Sequence, residues 1–133
     1  SVGYALSAGG RKAALVTDLG YVTGAVLRGI RGADLLVAEA NHDVEWVQSG
    51  PYPYHLKARI LGDRGHLSNE AGAELAWTAV EGGARTVVLA HLSHENNTHE
   101  VVRGVLERRG AAVGWDVALE VAPRSEKSRR YTV

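Results

Sequence analysis

Residues 86–91, TVVLAH, decide the fold: an almost wholly apolar run that ends abruptly on a histidine. Three similar runs lie elsewhere, AALVT at 13–17, LLVA at 35–38 and VALEV at 117–121. Continuous apolar runs of this length, bounded by glycine or charge, predict strands buried on both faces. A weaker strand candidate covers Val2 to Leu6. Helical marks lie between the strands. Thr23 can cap a helix that buries Val26, Leu27 and Ile30 and stops before Gly32. Asp43 can cap a short helix through Val44 and Val47, ended by Gly50-Pro51. Ser68 or Asn69 can cap a longer one, with Glu70 in its first turn and Leu75, Ala76, Ala79 and Val80 on one face, ending at Gly82-Gly83. Thr98 opens the last, with Val101, Val102, Val105 and Leu106 inward and Arg108, Arg109 and Gly110 closing it. Strands alternating with helices predict an α/β layered domain. The polar tail, 123–133, is expected to fray or to lie along an edge.

The chain has 133 residues, room for one domain. Lys plus Arg is 15 and Asp plus Glu is 15, so charge gives no global case for nucleic-acid or membrane partners and leaves only local patches. Apolar residues at 45% and charged residues at 23% are globular values. No apolar run approaches the roughly 18–20 residues of a transmembrane helix. The first residues, SVGYALSAGGRK, lack the basic start and apolar core of a signal peptide. A cytoplasmic protein without a membrane partner is expected. With no cysteine, any metal must be held by His, Asp or Glu. Methionine is absent as well, so the sequence is expected to begin elsewhere than the start of a gene.

Three of the strands end alike: AALVT runs into Asp18, LLVA into Glu39 and TVVLA into His91. Ligands of α/β sheets bind at the carboxyl ends of strands, so these residues would converge if their strands are neighbours. A strand-end carboxylate is also a common helix cap or a solvated loop residue. Six histidines occur, none in the middle of a predicted element. His66 stands apart because it precedes a helix start in Gly65-His66-Leu67-Ser68-Asn69, where free backbone N–H groups can meet an anion. A histidine bonded only to local backbone is the competing reading. The dinucleotide, P-loop and serine-hydrolase motifs are absent. His94-Glu95-Asn96-Asn97-Thr98-His99 nearly spells HExxH, but the second histidine comes one residue late for a shared helical face.

Taken together, Thr17-Asp18-Leu19-Gly20-Tyr21-Val22-Thr23, LLVAEANHDVEWV, GPYPYHLKARILGDRGHLSNEAGAEL and VVLAHLSHENNT resemble the metallo-β-lactamase-fold hydrolases of the YycJ/WalJ type. A more distant likeness is to the tRNA 3′-processing nucleases of the same fold. The resemblance implies two divalent ions, zinc or manganese. It matches Asp18 to the aspartate that bridges them and His91 to the final histidine ligand. Glu39 and His66 match a Glu–His pair that relays a proton to the leaving oxygen of a phosphodiester. His42, Ser68, Asn69 and Ser93 fall in the same loops and are weaker candidates for substrate contact. The implied activity is exonucleolytic hydrolysis of nucleic acid, DNA from the 5′ end, by a metal-activated hydroxide.

One departure qualifies this. The family places an HxHxDH motif before its bridging aspartate, and this chain has none, with only twelve residues ahead of the run at 13–17. The resemblance therefore implies the C-terminal half of an αββα sandwich over 1–133, with an N-terminal half absent. Hydrolytic centres need about three protein ligands per ion, so the chain alone is expected to be inactive. Two alternatives remain open here: a metallo-hydrolase of a small phosphodiester, lactone or thioester, and a non-catalytic half-domain that binds a partner.

Overall fold

The computed structural model describes residues 2–111 and 117–133. Strands β1 (Gly3–Ala8) and β2 (Arg11–Val16) form an antiparallel hairpin that turns at Gly9 and Gly10. Both glycines have positive φ, 56° and 77°, as the tight turns of two-residue hairpins demand. Strands β3 (Leu35–Glu39), β4 (Thr86–Ala90) and β5 (Ala118–Val121) then add parallel to β2, in the sheet order β1-β2-β3-β4-β5. The connections carry helices α1 (Gly24–Ile30), α2 (Val44–Ser49), α3 (Tyr54–Leu61), α4 (Asn69–Glu81) and α5 (His99–Ala111).

The expected caps are made. Thr23, Asp43, Ser68 and Thr98 accept backbone N–H bonds from Val26, Trp46, Ala71 and Val101. Each contributes about 1 kcal/mol by satisfying a helix-terminal donor. Helix α3 is the one element with no counterpart among the sequence expectations. It begins at Pro53 without a side-chain cap and buries no residue, so no core-facing stripe announces it.

One sheet face presents Ala14, Val16, Leu36, Ala38, Val87 and Leu89 to the core, where Ile30, Leu75, Ala76, Ala79, Val102, Val105 and Leu106 meet them. On the opposite face, register aligns Tyr4 with Leu15 and Leu15 with Val37. At the hairpin that face is wet: Tyr4, Leu6 and Leu15 are exposed. The tail does not fray freely. Arg129 pairs with Glu120 of β5 at 2.9 Å, and Arg124 donates to the carbonyls of Ser93 and Asn97, each at 2.7 Å. No helix among the described residues is long and apolar enough to cross a membrane.

Candidate metal centre

Because β2, β3 and β4 are adjacent and parallel, their carboxyl ends open side by side. Asp18 follows β2, Glu39 is the last residue of β3, and His91 follows β4 directly. His66 joins them from the loop before α4. One ligating atom from each of Asp18, Glu39, His66 and His91 lies within 4.8 Å of the other three. Asp18 and His91 both have left-handed backbones, φ 58° and 62°. No other non-glycine residue among those described shares that conformation, whose local cost of about 1 kcal/mol or more must be met by surrounding contacts.

Glu39 supplies those contacts. Its side chain is fully buried, and four donors converge on it. Oε1 accepts from Nδ1 of His66 at 2.8 Å and from Nδ1 of His91 at 2.6 Å. Oε2 accepts from the backbone N–H groups of Leu19 and Leu67, both at 3.2 Å. With Glu39 accepting both bonds, each ring presents its Nδ1–H to the shared oxygen. That leaves Nε2 of each ring, without a hydrogen-bond partner among the described residues, available for other chemistry. Asp18 contrasts with Glu39: its side chain is 63% exposed, and Oδ1 lies 3.7 and 3.8 Å from the two Nδ1 atoms. The ring centroids are 5.3 Å apart.

Close backbone approach holds the loops together. A Cβ on Gly20 would lie 2.0 Å from the carbonyl oxygen of Asp63, so the Asp18 loop seats directly on the loop that leads to His66. A Cβ on Gly72 would lie 2.3 Å from the carbonyl oxygen of Glu39, so α4 packs against the end of β3. Behind them, buried Asn69 and Asn97 exchange amide hydrogen bonds at 2.9 and 2.8 Å. Asn97 also donates to the Ala40 carbonyl and accepts from the Thr98 N–H. Sequence reasoning passed over Asn97, whose setting in a polar loop signals nothing.

The weaker candidates divide into two groups. Asn69 is committed to Asn97, while Ser93 accepts from the N–H groups of Glu95 and Asn96, so both build the scaffold. His42 and Ser68 line a cleft of about 640 Å³ together with His66, although Ser68 also caps α4. Burial, reinforced by nearby His66, lowers the pKa of His42 below its ordinary 6.5. The unfolded chain therefore gains the proton first as pH falls below 6.5, and stability drops toward the depressed folded value. His42→Gln should remove part of that acid sensitivity, measured as a smaller loss of denaturation midpoint between about pH 7 and pH 5. The near-HExxH stretch is not a metal helix: α5 starts at His99, and that ring bonds the Ala122 carbonyl at 3.0 Å.

A mostly parallel sheet, backed by helices, gathers carboxylates and imidazoles at its strand ends. The chain is a metallo-β-lactamase-fold protein, and it superposes on one such structure, Zn(2+)-bound PqqB from Methylobacterium extorquens. The TM-score is 0.55 at 21% identity, over 90% of this chain and 40% of that one. Within the fold its likeness is to the YycJ/WalJ type. It is 43% identical over 115 residues to exodeoxyribonuclease YycJ of Bacillus anthracis, covering 84% of this chain and 44% of that protein. It is 43% identical over 106 residues to exodeoxyribonuclease WalJ of Streptococcus pneumoniae, covering 80% of this chain and 39% of that protein. The chain thus spans less than half the length of these curated relatives. No family model matches it.

Proposed function

We propose that this chain is the C-terminal half of a dinuclear metal-dependent exonuclease that acts on DNA from the 5′ end. The observation that carries the reading is the gathering of Asp18, Glu39, His66 and His91 within 4.8 Å at the ends of parallel strands. The names of the relatives, both exodeoxyribonucleases, support the substrate class. The exposed Tyr4, Leu6 and Leu15 support a missing layer, since apolar sheet surface is normally covered.

The donor set fits a divalent ion of the zinc or manganese type, with carboxylate oxygen and imidazole nitrogen and no thiolate. His91, its Nδ1–H held by Glu39, keeps its Nε2 lone pair for a metal, as histidine ligands backed by a carboxylate do. Asp18 has an exposed carboxylate that can reach two ions. Bound ions would neutralise the phosphodiester and acidify a water toward neutral pH.

His66 takes the acid role. With Nδ1–H on Glu39, a second proton on Nε2 makes an imidazolium that Glu39 stabilises and Asp18 supports from 3.7 Å. That Nε2 proton goes to the leaving oxygen as the ester bond breaks. Glu39 grips both rings through one oxygen, so ligand and acid are fixed relative to each other before substrate arrives.

The test is hydrolysis of a 5′-labelled single strand by the full-length protein. Products should be released from the 5′ end, cease on chelation and return with zinc or manganese. A chelated protein that keeps its rate would refute the reading. Within it, His66→Ala should lower turnover about 100-fold or more with metal content intact. Asp18→Ala should lower metal content and turnover together.

A further inference from the structure

We propose that α3 with the loop after it is the strand-binding element of this site, in which Arg59 and Arg64 contact the phosphates of single-stranded nucleic acid and Tyr54 stacks on a base. The inference rests on the nuclease reading above.

Helix α3 has no role in the core. None of its eight residues is buried, no side chain caps it, and its main packing contact is with α2. An isolated helix of this length is marginal in water, so a ligand that adds contacts would find a natural place here. Its exposed positions carry Tyr54, 86% exposed, together with His55 and Arg59. Arg64, also exposed, follows in the loop after the helix.

Charge is uneven in an otherwise neutral chain. Between 52 and 64 the cations are Lys57, Arg59 and Arg64, against a single acid, Asp63. Lys57 is tied to the Gln48 carbonyl at 2.6 Å. Arg59 and Arg64, like Arg28, Arg31, Arg85, Arg108 and Arg130, make no ion pair among the described residues, so both are free to meet a phosphate. Unpaired cations on and just after a helix that also exposes an aromatic ring match a backbone of phosphates with unstacked bases.

Position completes the argument. The His66 N–H donates to the Ile60 carbonyl at 3.3 Å, joining the last turn of α3 to the proposed acid. A Cβ on Gly65 would lie 2.0 Å from the oxygen of Ile60 and 2.6 Å from that of Arg59, so no layer separates helix and site. The cleft beside His66 is bounded by Leu61 of α3 and by exposed Tyr21. At the other end, the Tyr52 hydroxyl bonds Glu95 and anchors the entry to α3 on the loop after β4. A strand with one phosphodiester at the four-residue cluster thus has α3 as its adjoining surface.

The test uses full-length protein carrying Arg59→Gln with Arg64→Gln, or Tyr54→Ala alone. Affinity for a fluorescent single-stranded oligonucleotide is measured by anisotropy across a salt series, and hydrolysis is followed on the oligonucleotide and on bis(p-nitrophenyl) phosphate. The double variant should flatten the slope of log affinity against log salt by about 1.4, roughly 0.7 for each lost phosphate contact. Its KM for the oligonucleotide should rise about tenfold relative to that for the small diester. Tyr54→Ala should weaken binding at least about fivefold without changing the salt slope. Wild-type affinity and slope in the double variant would overturn the proposal. So would an equal loss on both substrates with affinity unchanged, the mark of a structural role. If the wild type hydrolyses neither substrate, the nuclease reading fails, and the binding series still decides α3: a flattened slope sustains it and an unchanged slope overturns it.

Discussion

Glu39→Gln, one atom different from wild type, should lower turnover of the full-length protein about 100-fold and cost about 1–3 kcal/mol of stability. The size follows from counting donors. Four N–H groups point at this carboxylate, two on each oxygen. A carboxamide has one accepting oxygen, so its NH2 must face either the two ring nitrogens or the two backbone amides. Facing the backbone, it leaves the amides of Leu19 and Leu67 buried without a partner. Facing the rings, it forces both imidazoles to switch tautomer, and the Nε2 lone pair of His91 becomes an N–H. Either choice removes something the site uses. Glu39→Gln should therefore lower both metal content and melting temperature, whereas His66→Ala should spare the metal. Calorimetry with elemental analysis checks this, and wild-type stability and metal content in Glu39→Gln would contradict it.

Gly72→Ala should be the other severe change, against the direction that helix propensity alone predicts. Glycine inside a helix is about 1 kcal/mol worse than alanine, so the substitution ought to stabilise α4. Here the new Cβ would sit 2.3 Å from the carbonyl oxygen of Glu39 and 3.3 Å from Ala40 Cβ. The obstacle is backbone, which cannot rotate aside, and overpacking of this kind costs about 1–3 kcal/mol. Relief requires α4 to retreat from the end of β3 and carry the loop before it, with His66, out of register with Glu39. A displacement of about 1 Å can cost about 100-fold in rate. Gly104→Ala in α5 is the control, because its Cβ would meet only the flexible end of Arg108 at 3.5 Å. The control should gain up to about 1 kcal/mol. Comparable melting temperatures for the two variants would remove the close-packing argument.

Much of this arrangement is legible in the sequence, and the reason differs by element. The buried strands declare themselves by unbroken apolar runs, and Thr23, Asp43, Ser68 and Thr98 announce their helices because short oxygen side chains are what helix starts require. The convergence of Asp18, Glu39 and His91 follows once those strands are neighbours and parallel. Helix α3 was missed because periodicity reports burial, and a helix with nothing buried has no period to report. The left-handed backbones of Asp18 and His91 carry no local cue, since neither position holds glycine or asparagine. The double grip of Glu39 was also hidden: the sequence reading paired it with His66, but the bond to His91 links residues 52 positions apart. That bond couples the proposed ligand to the proposed acid, and only the packed structure shows it.

In the proposed function, Asp18 and His91 are this chain's share of a metal centre, with His66 beside it as a non-ligand. Anomalous diffraction from crystals of the full-length protein, recorded at the zinc or manganese absorption edge, tests it most directly. Two peaks are expected, both within bonding distance of Asp18, one also within bonding distance of Nε2 of His91, and neither bonded to His66. Peaks absent from the ends of β2 and β4, or an ion coordinated by His66, would contradict it.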